Sequence, residues 1–317
     1  MKVGIIGDME HKPKVDVLLG TLNGEKYLAE FLESLLAQES VSINLIVSDD
    51  GSVDRTLDIL GIYKDRFPSF QFVPGPKQGA AKNYLFLLRL VKNEFAAFAD
   101  QDDIWDRGHL IKSIERMKNL NETPALSYSA MREVYENHKM PERIWPTKHS
   151  ISNLNSILLQ NYARGCSMVF NKKAVELITK ITPKYLIMHD WWALQVIFTH
   201  GKILFGSNPE LTYRIHESNS IGIPTRWNSY TNFIRELIVG KWGPFGQAKE
   251  LNEIFGETMN EEARVILRHF LELQKFSLSR ILSLFTQRIS FKEKIEYDVS
   301  FRFALFLIPI ATRKWKE

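Results

Sequence analysis

The sequence predicts an α/β fold, a mixed and mostly parallel sheet flanked by helices, with a helical appendage at its C-terminal end. Three observations predict it. Short apolar runs alternate with helical patterns between Val15 and Ser129, the signature of βαβ units. Polar and acidic residues gather where those runs stop. From Thr225 onward the pattern is helical, with no strand-like run.

Val15 to Thr21, Ile43 to Ser48, Phe70 to Val73, Phe95 to Ala99 and Ala125 to Ser129 each read as a buried strand. Between the first two, Tyr27, Leu28, Phe31, Leu32, Leu35 and Leu36 recur at helical spacing and give Glu25 to Ala37 one apolar face. Further helices are predicted over Asp54 to Tyr63, Lys82 to Lys92 and Gly108 to Lys118. After a charged loop, Arg132 to Ser150, come a strand over Gly165 to Phe170, a helix from Lys172, a helix opened by Asp190, and strands over Lys202 to Phe205 and Leu211 to Ile215. The domain boundary is placed near Ile223, which separates a catalytic domain, residues 1–223, from a helical region, residues 224–317.

With 317 residues, 44% hydrophobic and 25% charged, the composition is that of an ordinary folded globular protein. The single cysteine, Cys166, excludes an internal disulfide and suits a reducing compartment, so a cytoplasmic location is expected. The first residues, with one short apolar run at Val3 to Ile6, do not read as a secretory signal. The net charge of +4 sits in the tail: from Thr225 onward there are 15 Lys plus Arg against 11 Asp plus Glu. An anionic surface such as a phospholipid headgroup layer is the expected partner. Nucleic acid is not, because no recognised binding module accompanies the charge.

In open α/β sheets ligands bind at the carboxyl ends of the strands, and here those ends carry the candidate chemistry. The strand over Phe95 to Ala99 runs into Asp100-Gln101-Asp102-Asp103, three carboxylates within four residues. Like charges this close repel unless a cation neutralises them, and a hard divalent ion with oxygen ligands, Mg²⁺ or Mn²⁺, fits. The alternative is a solvated turn that caps the helix starting near Gly108. The strand over Ile43 to Ser48 ends in Asp49-Asp50-Gly51-Ser52, with Asp54 at the next helix start. A carboxylate there can accept hydrogen bonds from a nucleobase or a ribose. A turn and N-cap explain Ser52 and Asp54 equally well, and the adjacent pair Asp49 and Asp50 less so.

Taken together, these segments resemble the inverting glycosyltransferases of family 2, which have the GT-A nucleotide-diphospho-sugar transferase fold. The resemblance runs from Val15 through Thr21-Leu22-Asn23-Gly24-Glu25 and Asp49-Asp50-Gly51-Ser52 to Asp100-Gln101-Asp102-Asp103-Ile104-Trp105. Within the family it is similar to a bacterial rhamnosyltransferase branch, through that last segment, His189-Asp190-Trp191-Trp192, and Tyr213-Arg214-Ile215-His216.

The resemblance implies that Thr21, Asn23 and Glu25 lie beside the nucleotide, Asp50 on the base, Asp102 near the ribose and the metal, and Asp103 on the metal, with Asp100 less certain. Gly79 and Asn83 approach the nucleotide, and glycine permits close backbone approach. Leu22 departs from the aromatic residue common at that position, which weakens the expectation of base stacking. Asp190 is the expected general base, and Trp191 and Trp192 offer rings on which an acceptor sugar can stack. Read from the residues alone, Asp190 is equally an N-cap and the tryptophans core. His216 is implied at the diphosphate or metal, with Arg214 pairing phosphate oxygens. His189 and Arg164 carry weaker signals, and Cys166 reads as a small buried hydrophobe.

The implied activity is inverting transfer of a hexose, with L-rhamnose from dTDP-L-rhamnose the leading reading, to a hydroxyl of a glycan or lipid-linked saccharide in bacterial surface polysaccharide synthesis such as O-antigen. A UDP-hexose donor is the alternative, and a non-catalytic sugar-nucleotide-binding protein a weaker one. A nucleotidyltransferase would need a glycine-rich basic phosphate loop after the first strand, which Thr21 to Lys26 is not. Near the end, Phe301 to Ala311 is apolar and followed by Arg313, Lys314, Trp315 and Lys316. It is shorter than the about 20 residues that span a bilayer, so it reads as an interfacial anchor on the inner face of the plasma membrane, or as a core or oligomer-interface helix.

Overall fold

The apolar runs fold where their periodicity places them. In the computed structural model, residues 12–136, 141–147, 151, 153–217, 219 and 243–272 are described. In chain order these are β1 (Lys14–Thr21), α1 (Leu28–Leu36), β2 (Ser42–Asp49), α2 (Thr56–Tyr63), β3 (Ser69–Pro74), α3 (Ala80–Leu88), β4 (Phe95–Asp100), β5 (Ile104–Trp105) and α4 (His109–Met117). Then follow β6 (Ala125–Tyr135), β7 (Arg143–Trp145), α5 (Leu154–Leu159), β8 (Val169–Asn171), α6 (Lys172–Thr179), α7 (His189–His200), β9 (Lys202–Ile215), α8 (Gly243–Phe255) and α9 (Glu261–Glu272).

Among the described residues one sheet forms in the order β3-β2-β1-β4-β8-β6-β9-β5, with β7 paired to β6. Strands β3, β2, β1 and β4 run parallel, and β8 enters antiparallel between β4 and β6. The sheet is buried on both faces by period-two alternation. Val15, Val17 and Leu19 of β1, Leu45 and Val47 of β2, and Ala97 and Ala99 of β4 face the layer of α1, α2 and α4. Leu18, Ile46, Ala96 and Phe98 face α3, α5, α6 and α7. Helices α8 and α9 join this second layer, with Phe245, Leu251, Phe255, Leu267 and Phe270 in the same core cluster as Ile157 and Trp192. The predicted boundary near Ile223 and the segment Phe301 to Lys316 lie outside the described residues.

The structure departs from the sequence expectations in four places. Residues Gly165–Ser167 make a 3₁₀ turn and only Val169–Asn171 is strand. The two strands expected over 202–215 are one, β9, whose partnering with β6 shifts register around Ser129 and Ala130, opposite Pro209. Such an irregularity tolerates a proline, which lacks the N–H a regular ladder needs. The expected loop after Arg132 contains the end of β6 and all of β7. Helix α5 carries no amphipathic signal because all of its residues are buried.

Two buried carboxylates tie elements together. Asp16 on β1 accepts the backbone N–H groups of Lys92 and Asn93 at 2.7 and 2.8 Å and the side-chain amide of Asn93 at 2.6 Å, which fixes the turn before β4. Glu210 on β9 accepts two hydrogen bonds from the Arg116 guanidinium of α4 at 2.7 and 2.9 Å. Burial alone would raise the pKa of Glu210, but the hydrogen bonds from Arg116, with the His109 imidazole 3.5 Å away, reverse that and hold it down to about 2. Arg116→Met leaves this carboxylate buried without its partner, and urea denaturation at neutral pH is expected to show a loss of about 3–5 kcal/mol. In the wild type the contribution of Glu210 is full above its ordinary pKa of 4.5 and fades as pH falls toward about 2.

Candidate active site

Strand register builds the floor of the site. Gly20 is paired with Ser48 on one side and Asp100 on the other, and Thr21 with Asp49, so three adjacent parallel strands end level with one another. Past these ends opens a cavity of about 430 Å³. It is lined by Thr21, Asn23, Asp50, Gly79, Asn83, Asp102, Asp190 and His216, eight of the residues expected at the site.

Asp49 is spent on its own loop. Its carboxylate accepts from the Thr21 hydroxyl at 2.8 Å, from the backbone N–H groups of Gly51 and Ser52 at 3.0 and 2.8 Å, and from the Ser52 hydroxyl at 2.5 Å. Asp50, the next residue, reaches the cavity and holds the following loop through the N–H groups of Lys77 at 2.6 Å and Gly79 at 3.2 Å. Gly79 takes φ +84°, a backbone state that suits glycine. The Asn83 side chain is committed to Ser48, accepting its hydroxyl at 2.5 Å and donating to its carbonyl at 3.2 Å. The loop after β1 is pinned by Gln101, whose side-chain amide exchanges two 3.0 Å hydrogen bonds with the backbone of Leu22. Asn23 lines the cavity while its side chain accepts the N–H of Val53 at 2.9 Å.

The acidic cluster divides by depth. Asp102 faces the cavity, with one carboxylate oxygen 2.8 Å from Nε2 of His216. The His216 ring stacks on Tyr27 with centroids 4.7 Å apart, which fixes its plane. Asp100 ends β4 and accepts the Tyr84 hydroxyl at 2.7 Å. Burial, and then the charge of Asp102, pushes Asp100 up to about 7. Asp103 is fully buried, its two oxygens have no hydrogen-bond partner among the described residues, and burial followed by the charges of Asp102 and Asp100 raises its pKa well above the carboxylate range.

Of the groups that line the cavity, Asp100 and Asp102 offer the oxygen donors a hard divalent ion prefers. His216, 2.8 Å from Asp102, adds a borderline nitrogen donor beside them, and the elevated Asp100 marks a place where negative charge lacks a counterion. Asp103, the expected metal ligand, is placed beneath the cavity rather than in its wall. It lies outside the cavity lining, and its neighbours are Asp100 and Cys166, with ligand atoms within 4.8 Å of one another. Burial raises the Cys166 thiol well above its ordinary range.

In the same cavity, Asp190 sits in the first turn of α7 and is buried. Its oxygens accept the backbone N–H groups of Gly165 at 3.1 Å and Trp191 at 2.7 Å. Burial pushes its pKa up to about 6 despite these hydrogen bonds. Beside it the Arg164 guanidinium lines the cavity, paired with the buried Glu133 at 2.6 Å and lying over the ring of Tyr213 at 4.1 Å.

Three further expectations are corrected by packing. Trp192 is fully buried in the core, and Trp191 is buried with its indole N–H donating to the Ile157 carbonyl at 2.5 Å, so neither ring lines the cavity. Glu25 lies outside the lining, where it accepts the Arg55 N–H at 3.0 Å while its own N–H donates to Asp54 at 3.0 Å. Arg214 pairs with Glu30 at 2.6 Å and lies over the Tyr27 ring. Sequence reading missed Tyr84 and Asn219, which line the cavity, because neither stands in an acidic or aromatic cluster that would single it out.

A family model described as Glycosyl transferase family 2 matches residues 16–178. The chain is 27% identical over 217 residues to the dTDP-rhamnosyl transferase RfbG of Shigella flexneri, covering 64% of this chain and 73% of that protein. It is 26% identical over 219 residues to an uncharacterized glycosyltransferase of Nostoc sp., covering 65% of this chain and 66% of that one. Among solved structures, S. aureus TarS 1-349 in complex with UDP-GlcNAc superimposes with a TM-score of 0.58 at 18% identity, over 94% of this chain and 81% of that one. The mannosyltransferase PcManGT from Pyrobaculum calidifontis, in complex with GDP-Man and Mn²⁺, gives 0.50 at 14% identity, over 97% and 89%. These two likenesses establish the fold.

Because Trp192 belongs to the core, Trp192→Ala is expected to lower unfolding free energy by about 3–5 kcal/mol in urea titration. A stable variant with weakened acceptor binding would instead return the ring to the site.

Proposed function

The chain belongs to glycosyl transferase family 2 and has the GT-A fold, and from that premise we propose that it is a metal-dependent inverting hexosyltransferase with Asp190 as its general base. One observation carries the reading: a buried carboxylate, raised to about 6, lines the same cavity as the pair formed by Asp102 and His216. At neutral pH such a carboxylate is mostly ionised yet more basic than an exposed aspartate, as a general base requires.

In a single displacement an acceptor hydroxyl attacks the anomeric carbon as the nucleoside diphosphate leaves. Asp190 takes the hydroxyl proton, with its orientation set by the N–H groups of Gly165 and Trp191. Asp50, Asn23 and Gly79 form the nucleotide end of the cavity. Asp102 and His216, with Asp100 beside them, would hold Mg²⁺ or Mn²⁺, which supplies positive charge for the departing diphosphate. Arg164 adds a cation to the same wall.

For the donor, the residues quoted above and the 27% identity to a protein named a dTDP-rhamnosyl transferase support dTDP-L-rhamnose. A UDP-hexose is the second reading, supported by the exposed Leu22 at the nucleotide end, where nothing in the residues selects thymine over uracil. A saccharide or lipid-linked acceptor, and an inner-membrane location through the basic, apolar end of the chain, are proposed from the sequence alone. No described helix is long and apolar enough to cross a membrane.

The test is a donor screen that reads nucleoside diphosphate release with and without Mn²⁺. Asp190→Asn is expected to lower kcat by about 10²–10⁴-fold while donor affinity, read by calorimetry, stays within about twofold. Retained turnover would remove Asp190 as the base. The wild-type kcat/KM is expected to fall below pH of about 6, about tenfold per unit, as Asp190 takes up its proton.

A further inference from the structure

One polar group on the cavity wall has no role in that scheme. His189 opens α7 immediately before Asp190, is only 4% exposed and lines the cavity. Neither of its ring nitrogens has a hydrogen-bond partner among the described residues. Buried imidazole nitrogens are ordinarily paired, so a ring that lines a ligand cavity with both nitrogens enclosed and unpaired points to a ligand that supplies a partner.

The ring is held for this purpose. It stacks on Tyr84 with centroids 4.0 Å apart and planes at 19°, and meets Phe98 edge-on at 4.7 Å and 89°. Glycines close both ends of the stack. A Cβ on Gly165 would stand 2.9 Å from Nε2 of His189, and one on Gly20 would stand 3.2 Å from the Tyr84 ring. Tyr84 is anchored in turn by its hydroxyl, which donates to the Ala99 carbonyl and to Asp100. The imidazole is thus linked through Tyr84 to the carboxylate that ends β4, and stands one residue before the carboxylate that opens α7. In the transferase reading this is the place of the sugar, between the departing diphosphate and the attacking hydroxyl.

We propose that His189 is a specificity-determining residue that hydrogen-bonds a hydroxyl of the transferred sugar. This deepens the transferase reading above and rests on it. Burial holds the His189 pKa down to about 3, so the ring is neutral, with one N–H donor and one acceptor nitrogen. A hydroxyl offers the complementary pair in either tautomer. An acidic sugar would bring its carboxylate to an uncharged ring in a cavity lined by Asp100, Asp102 and Asp190, where the cation beside Asp190, Arg164, is already paired with Glu133, and is disfavoured. The class selected is a neutral hydroxylated hexose.

Calorimetry with Mn²⁺ tests this on the full chain. The probes are dTDP against dTDP-L-rhamnose, UDP against UDP-glucose, and UDP-glucuronate as the acidic case. His189→Phe keeps the stack and removes both nitrogens; His189→Gln restores a donor and an acceptor. In the phenylalanine variant the sugar's contribution, read as the ratio of the two Kd values, is expected to fall about tenfold. The nucleoside diphosphate Kd should stay within about twofold, glutamine should recover much of the loss, and UDP-glucuronate should bind more weakly than UDP-glucose. An unchanged ratio in the phenylalanine variant overturns the inference. So does an equal loss for diphosphate and sugar-nucleotide, which would make His189 a packing residue, and so does a wild-type protein to which neither sugar adds affinity. A wild-type protein that binds none of these nucleotides overturns the transferase reading as well.

Discussion

The parallel register of β1 between β2 and β4 is the constraint on which the rest of the site depends. It aligns Gly20 with Ser48 and Asp100, so chemistry carried by three separate stretches of sequence emerges along one edge. The alignment is enforced by burial on both faces: sliding β1 by one residue would carry Val15, Val17 and Leu19 to the opposite layer and turn the Asp16 carboxylate away from the backbone it holds. Core packing and site geometry are here one fact seen from two ends of the same strands.

Along that edge carboxylates differ by what already satisfies them. Asp49 has three hydrogen bonds from its own loop and one from Thr21 of β1 and serves as a structural knot, while Asp50 has fewer commitments and reaches the cavity. Asp100 and Asp103 are both raised, but one ends at the cavity wall and the other is sealed beneath it. Proximity in sequence says little about which member of such a cluster is available to a ligand. Hydrogen-bond saturation and depth decide it.

This is also the line between what was legible in the sequence and what was not. Strands β1 to β4 and the helices around them followed from periodicity, and the acidic residues at the strand ends followed from the rule that parallel sheets bind ligands there. Depth was not legible: Asp102 and Asp103 are adjacent, and only the course of the chain after β4 turns one outward and the other in. Trp191 and Trp192 misled for a related reason, since a pair of aromatic rings beside a carboxylate suits a sugar platform and a helix packed on all sides equally well. His189 gave almost no signal, because its significance lies in partners it lacks, and an absence of partners has no spacing.

Helix α7 carries Asp190 and His189 at its start, and its buried flank is closed by α8. Gln247 of α8 is fully buried, donating to Gln195 of α7 at 3.0 Å and accepting the N–H of Ile187, just ahead of the helix, at 2.9 Å. Helix α8 thus acts as a brace on the start of α7. The practical consequence concerns modularity. A transplant of this side of the cavity between related chains would have to exchange α7 and α8 as a unit, and a fragment cut between β9 and α8 would strip the brace from the helix that carries Asp190.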